Sequence, residues 1–138
     1  MAELQVANEE YTDIRNRVID ARRATDNAYW ELSLALHEVY ENSYYVSWGY
    51  TSWKDYVELE LQVAPRKAAY LVAIQESFGK LSDDVTTWVK DIGWSKSKEL
   101  IGVLDDENLH EWKERIDGKT LREVTEIVRD YKNPQIRS

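Results

Sequence analysis

The stretch 52–78 constrains the fold of this chain more than any other part of the sequence. Its apolar residues recur at helical spacing, and a second helical set begins at Ala68, after a break at 62–65. Pro65 suits the first position of the second helix, because the N–H that proline lacks has no partner there. We therefore expect two helices joined by a tight turn, a helix-turn-helix over residues 51–78.

The outer face of the second helix holds the first candidate binding residues. If positions 68, 71 and 74 face the core, the residues left outside are two cations and a tyrosine: Arg66, Lys67 and Tyr70. Such a face suits contact with a phosphate backbone and a DNA groove. The alternative is an ordinary helical hairpin with solvated charges, since the motif is degenerate.

The composition favours the all-α class and a single domain over residues 1–138. The chain has 5 glycines and 2 prolines, and no stretch alternates in the manner of a strand. Cysteine is absent, which excludes disulfides and thiolate metal sites. The first residues lack the basic start and apolar core of a secretory leader, and no apolar run approaches membrane-spanning length. We expect a cytoplasmic protein without a membrane partner.

The net charge of −8 weighs against nucleic acid, because binding a polyanion requires local positive potential. The acid is unevenly distributed, however. Residues 1–62 carry 5 Lys/Arg against 12 Asp/Glu, whereas 63–104 carry 6 against 5 and 105–138 carry 7 against 9. The candidate binding segment is therefore the least acidic part, although a balance of +1 is a weak electrostatic footprint.

A heptad series predicts one long helix over residues 8–42. Apolar or small residues recur at alternating steps of three and four: Tyr11, Ile14, Val18, Ala21, Thr25, Ala28, Leu32, Ala35 and Val39. A seam of this length suits a partner helix, either in the same domain or in a second copy of the chain. We expect a homodimer, with an interface that includes Ile14, Val18, Ala21, Ala28 and Leu32.

The end of the long helix carries a second apolar face, which predicts burial on two sides. The residues of this face are Tyr29, Trp30, Leu34, Leu36 and Tyr40. Aromatic residues then crowd the stretch from Tyr40 to Tyr56, in which Lys54 is the only cation, so base stacking is disfavoured. We expect an aromatic plug that joins the long helix to the next one, which Thr51 or Ser52 caps.

This order of features resembles small helical proteins of bacteriophages and mobile elements, most of them without an assigned function. The likeness covers residues 18–78 and rests on the run ELSLALHEVYE, the aromatic linker, the W..Y...EL segment and the pattern V..RKAAYL. It implies a phage- or plasmid-type regulatory or accessory protein. In such a protein, Arg66, Lys67 and Tyr70 hold the positions of recognition-helix contacts.

The segment after Gly79 predicts two short helices. Ser82 or Asp83 starts the first, and Ser95 caps the second. Three apolar positions here match those of the helix-turn-helix, which raises the alternative of a second, degenerate motif over 82–104. Lys96 and Lys98 would then extend the positive surface; otherwise they are solvated residues of a first turn.

Residues 105–132 predict a C-terminal helical hairpin. The pair Asp105-Asp106 stands where it would cap the first helix, and Thr120 with Glu123 forms a capping box that opens the second. We expect this hairpin to cover the core.

Catalysis finds little support in the sequence. His37 and His110 each precede a glutamate, but neither begins the two-histidine zinc motif, and no glycine-rich phosphate loop is present. Acidic pairs stand at helix starts, where compensation of the helix dipole explains them. We expect no enzyme, no metal and no cofactor.

Two function classes remain. The favoured one is a DNA-binding regulator that contacts duplex DNA through Arg66, Lys67, Tyr70, Lys96 and Lys98. The other is an acidic protein-binding module, such as a phage-encoded inhibitor of a host nucleic-acid-binding protein, in which the carboxylates of the long helix compete for a basic groove. A contiguous positive face across the four cations would separate the two.

Overall fold

The computed structural model describes residues 2–134, including the side chains of 13–18 and 28–134. This part of the chain forms helices and no strand, which confirms the all-α class. In chain order the helices are α1 (Ala2–Asn42), α2 (Tyr44–Ser47), α3 (Trp53–Asp55), a π-helical segment (Tyr56–Glu60), α4 (Pro65–Phe78), α5 (Asp83–Ile92), α6 (Trp94–Glu99), α7 (Leu109–Ile116) and α8 (Leu121–Lys132).

The core is built around α4, which packs most extensively against α1 and also against α6. The apolar stripe expected from the sequence is fully buried at Ala68, Leu71 and Ile74. Pro65 is the first residue of α4, and Ala64 before it is extended, as the residue preceding a proline prefers to be. Burial of this stripe decides which side chains of α4 remain outside.

The C-terminal part of α1 has one buried face rather than two. Tyr29, Trp30 and Leu36 lie in the core, whereas Leu34 and Tyr40 are exposed. The prediction of burial on both sides is wrong at these two positions. Leu34 is turned away from the face of α1 that bonds to α5 through Tyr29 and to α4 through Ser33. Tyr40 lies on that face beside Trp53, but its ring is only partly covered there.

Three polar side chains lie inside this apolar core, and hydrogen bonds satisfy them. Gln75 Nε2 donates to Ser33 Oγ over 2.8 Å and so links α4 to α1. Ser97 Oγ donates to the Val89 carbonyl over 2.9 Å, and the Tyr29 hydroxyl donates to the same carbonyl over 2.6 Å. These bonds fix how α1, α4, α5 and α6 sit against one another.

Ring contacts join α1 to the chain that follows it, as the predicted aromatic plug requires, although Tyr40, Tyr44 and Trp48 remain exposed. The Trp53 ring lies 5.1 Å from that of Tyr40 and 5.9 Å from that of Tyr45, measured between centroids. Tyr56 is buried beside Trp53 at 5.8 Å. Burial, and secondly the charge of Glu60, raise the pKa of the Tyr56 hydroxyl above its ordinary value.

Helix caps agree with the sequence at three starts. The hydroxyl of Ser52 accepts the Asp55 N–H at the start of α3, and that of Ser82 accepts the Val85 N–H at the start of α5. Thr120 opens α8 with both bonds of the predicted capping box. In each case a side-chain oxygen satisfies an amide that the helix itself leaves unpaired.

The predicted cap at Ser95 is wrong. This residue lies inside α6, which begins at Trp94, directly after Gly93. A φ of 88° at Gly93 lets the chain turn between α5 and α6 without a side-chain cap.

The prediction that Asp105-Asp106 caps α7 is also wrong, since that helix begins at Leu109. Asp105 Oδ1 accepts the backbone N–H of Asn108 and so shapes the loop before the helix. Asp106 Oδ1 accepts the N–H of Ser82 over 2.8 Å. The pair therefore ties this loop to the start of α5.

Candidate nucleic-acid interface

The outer face of α4 carries Arg66 and Lys67 in its first turn and Tyr70 one turn later. The two cations are exposed and Tyr70 is half-buried, because positions 68 and 71 face the core. The first turn of α4 contains no acidic residue, although carboxylates are what stabilise the positive end of a helix dipole. Two cations at that end raise the local positive potential and favour an anionic partner.

Trp94 and Lys98 reach the same surface from α6. Their positions, four residues apart, share one face of that helix. Ser97 points inward, where its hydroxyl is bonded to the Val89 carbonyl, and this fixes the rotation of α6. The packing of α6 against α4 then brings the two faces together.

The result is a cation-aromatic cluster of five side chains: Arg66, Lys67, Tyr70, Trp94 and Lys98. Lys98 Nζ lies 4.5 Å from the centroid of the Tyr70 ring and 5.4 Å from that of Trp94. Lys67 Nζ lies 5.1 Å from the Trp94 centroid. Arg66 Cζ lies 5.8 Å from the Tyr70 centroid, and Arg66 Nε donates to the Tyr70 hydroxyl over 3.3 Å. The electron-rich ring faces thus hold three like charges close together.

No cation of the cluster lies within 4 Å of a carboxylate in the part of the chain that the structure describes. Ion pairs in that part involve other groups, for example Arg115 with Glu111 at 2.7 Å. The charge of the cluster is therefore not neutralised by an internal ion pair. It offers N–H donors that suit phosphate oxygens and half-buried rings that suit a flat base or sugar face.

Lys96 makes no ring contact with this cluster in the described residues. It lines a cleft of about 650 Å³ between α5, α6 and α7, together with Asp91, His110, Lys113 and Glu114. Charges of both signs alternate around that cleft. Of the five residues predicted to bind DNA, ring contacts therefore join four, whereas Lys96 makes none of these contacts, although it lines a smaller pocket with Trp94.

Trp94 is the member of the cluster that sequence reasoning missed. Trp94 and Lys98 are four residues apart, and this spacing alone predicts that they are neighbours on one face of a helix. Its contact with Lys67 depends on how α6 packs against α4, and no sequence pattern reports that packing.

Residues of the expected dimer seam on α1 are exposed in the single chain. Ile14 is 56% and Val18 is 63% exposed, Leu32 is 37% exposed, and Ala28 is also exposed. The side chain of Ala21 lies outside the described residues. The described part of the seam is thus an apolar row that this chain leaves uncovered.

One group of side chains could hold a metal ion, although the sequence suggested none. His37, Glu41 and Glu76 place one donor atom each within 4.8 Å of the others. The sequence reveals the first two as neighbours on one helix, but Glu76 comes from α4.

Comparison with protein-family models, with characterised proteins and with solved structures finds no match to this chain. In the part of the chain that the structure describes, no helix combines the length and the apolar character that crossing a bilayer requires. The cation-aromatic cluster remains the most concentrated grouping of the predicted binding residues.

Proposed function

We propose that this protein is a cytoplasmic helix-turn-helix regulator or accessory protein of the phage or plasmid type, which acts by binding duplex DNA rather than by catalysis. In this proposal the π-helical segment and α4 form the helix-turn-helix, and α4 is the recognition helix. Arg66, Lys67 and Lys98 contact phosphates, while Tyr70 and Trp94 position them.

The observation that carries the proposal is the cation-aromatic cluster itself. Four residues chosen from the sequence as DNA contacts come from two helices, and ring contacts at Tyr70 and Trp94 join them. The rings of Tyr70 and Trp94 hold these like charges near one another in spite of their mutual repulsion. A phosphate backbone relieves that repulsion, because each anionic oxygen accepts a bond from a cation.

The number of cations sets the expected strength. Three phosphate contacts correspond to a slope of about −2.7 in log K against log salt, or roughly a 40-fold loss of affinity between 50 and 200 mM salt. A dimer that doubles the contacts loses about 10³-fold over the same interval. Binding to DNA of general sequence is therefore weak and strongly salt-dependent.

The experiment compares Arg66→Ala/Lys67→Ala with a matched variant, Lys119→Ala/Arg122→Ala. The matched variant removes the same charge from two exposed positions at the start of α8, which make no ion pair or ring contact with the cluster. Fluorescence anisotropy with a labelled duplex, repeated over a salt series, gives affinity and slope for each protein. We expect the first variant to lower the slope by about 2 per protomer and the matched variant to leave it nearly unchanged.

Equal losses in the two variants would mean that only net charge matters and that the cluster has no special role. Wild-type protein that leaves the anisotropy of the duplex unchanged at low salt contradicts DNA binding altogether. Circular dichroism of each variant controls for loss of the fold.

The acidic protein-binding alternative is supported by a separate observation. Asp13, Glu31, Glu38 and Glu41 are exposed along α1, away from the cluster. Such a row suits a basic groove on a host nucleic-acid-binding protein, where complementarity acts mainly on association rate. Pull-down from nuclease-treated bacterial lysate favours this reading if a nucleic-acid-binding protein is recovered at low salt and lost at high salt.

A further inference from the structure

His37, Glu41 and Glu76 form a compact group where α1 and α4 pack together. His37 Nε2 lies 3.5 Å from Glu41 Oε1 and 4.0 Å from Glu76 Oε1. We propose that these three side chains bind a divalent transition-metal ion, Zn²⁺, which clamps α1 to α4. The site lies outside the cation-aromatic cluster, and its test does not depend on DNA binding.

The donor spacing suits a single ion. Zn²⁺ binds imidazole nitrogen and carboxylate oxygen at about 2.0–2.2 Å, so neighbouring ligands of a tetrahedral ion stand about 3.3–3.5 Å apart. The separations between His37 Nε2 and the two carboxylate oxygens are within about 0.7 Å of that spacing. Small rotations of the two glutamate side chains close this gap.

The backbone beneath the site is held in place by the buried core. His37 follows Ser33 by one helical turn, and Glu76 follows Gln75 directly. Ser33 and Gln75 are buried and bonded to each other over 2.8 Å, which fixes the register between α1 and α4. Because α1 and α4 already hold this register, the backbone beneath the ligands need not rearrange when an ion binds.

The ligand chemistry favours a borderline transition metal over Ca²⁺ or Mg²⁺. Imidazole suits zinc and its neighbours, whereas calcium and magnesium prefer sites made only of oxygen. Two carboxylates and one neutral imidazole balance the charge of a divalent ion. The side chain of His37 is 29% exposed and those of Glu41 and Glu76 are about half exposed, so an ion can enter from solvent and keep water in its remaining position.

The chain contains its own control for this site. His110 and Glu114 repeat the spacing of His37 and Glu41 on α7, with His110 Nε2 3.0 Å from Glu114 Oε1. In the described part of the chain, only the group around His37 gathers three such donors. If a histidine and glutamate one turn apart were enough, both pairs would bind zinc equally.

The primary experiment is calorimetric titration of ZnCl₂ into the full chain after treatment with EDTA. We expect one high-affinity zinc per chain and a zinc-dependent rise in Tm, since an ion bound only by the folded state stabilises it. His37→Ala and Glu76→Gln should each weaken binding by more than about tenfold, while His110→Ala leaves it unchanged. Glu76→Gln alters one exposed atom and keeps the fold, so a loss in that variant reports the ligand itself.

A second readout identifies the ligand directly. The chain has 2 histidines, so ¹H–¹⁵N spectra of the imidazoles, assigned with His110→Ala, distinguish them. Zinc should shift the His37 signals at one equivalent and the His110 signals only at excess. Equal shifts in both histidines, or an affinity unchanged in Glu76→Gln, overturn the proposal.

Discussion

A buried hydrogen bond links α1 to α4 inside their apolar contact. Gln75 is buried in an apolar core, and its Nε2 donates to Ser33 Oγ. Replacing only Ser33 with an apolar residue leaves the buried amide N–H of Gln75 without an acceptor. Replacing both Ser33 and Gln75 with apolar residues leaves no polar group that needs a hydrogen bond. The free energy of unfolding should therefore depend on whether Ser33 and Gln75 are changed together or one at a time.

We expect Ser33→Ala to lower the free energy of unfolding by about 1–3 kcal/mol. The double variant Ser33→Ala/Gln75→Leu should recover most of that loss, because its two side chains need no partner. Urea denaturation measures both, with Ser47→Ala on the exposed α2 as control. A double variant that is less stable than the single one contradicts this account.

Sequence patterns could predict residues whose role is set by near neighbours along the chain. The buried stripe of α4, the capping hydroxyl of Thr120 and the exposed cations Arg66 and Lys67 all follow from helical spacing and cap chemistry. Ser33 and Trp94 could not be predicted in the same way. Their partners are far away in sequence and meet them only because helices pack in one particular arrangement.

At the scale of one element, α8 depends on its capping box. Glu123 accepts the Thr120 N–H over 3.2 Å and the Thr120 hydroxyl over 3.0 Å. The backbone bond from Thr120 is the main reason that the pKa of the Glu123 carboxyl falls below its ordinary value of 4.5. The folded state therefore holds this proton less tightly than the unfolded state.

It follows that the contribution of Glu123 to stability is present above about pH 4.5 and is lost as the pH falls through its folded pKa. Glu123→Gln keeps an acceptor oxygen but removes the titration. We expect the stability difference between wild type and this variant to shrink from pH 7 to about pH 3 in urea denaturation. Glu107→Gln, at an exposed loop position, is the control. If the stability difference between wild type and Glu123→Gln does not change with pH, the capping box is not the source of the pH dependence.

Elements were easier to predict than the joints between them. The turns before α6 and α7 lack the side-chain caps that the sequence predicted. Before α6 the chain turns at Gly93, which has a positive φ, and before α7 the carboxylate of Asp105 bonds within the loop. The exposed side of α1 also differs from the prediction, which placed it in the core, but the cause there lies in the packing of whole helices. Whether an apolar face is buried depends on which helices lie over it, and that is a property of the whole packing.

At the scale of the whole molecule, the exposed seam on α1 predicts self-association. Ile14 and Val18 are more than half exposed, so a second copy would remove apolar surface from water. A two-fold arrangement would also present two copies of α4 to successive turns of DNA. The expected homodimer is thus linked to the proposed function.

We expect light scattering at tens of micromolar to give twice the chain mass of 16.2 kDa. Ile14→Asp/Val18→Asp should give a monomer, because charge on the seam opposes its burial, whereas Asp13→Asn beside the seam should remain dimeric. The monomeric variant should also show about half the salt slope on DNA. A wild-type protein of monomer mass removes the dimer from the proposal.

The π-helical segment Tyr56–Glu60 has a further consequence in evolutionary terms. It buries Tyr56 and Val57, ends near Gln62 with its left-handed φ of 54°, and delivers the chain to Pro65 at the start of α4. Since a π-turn accommodates an extra residue within a helix, losing one residue here would rotate the end of the segment against its start by about a quarter turn and would change where the chain enters the turn before α4. Related chains should therefore vary in composition between Trp53 and Pro65 more readily than in length.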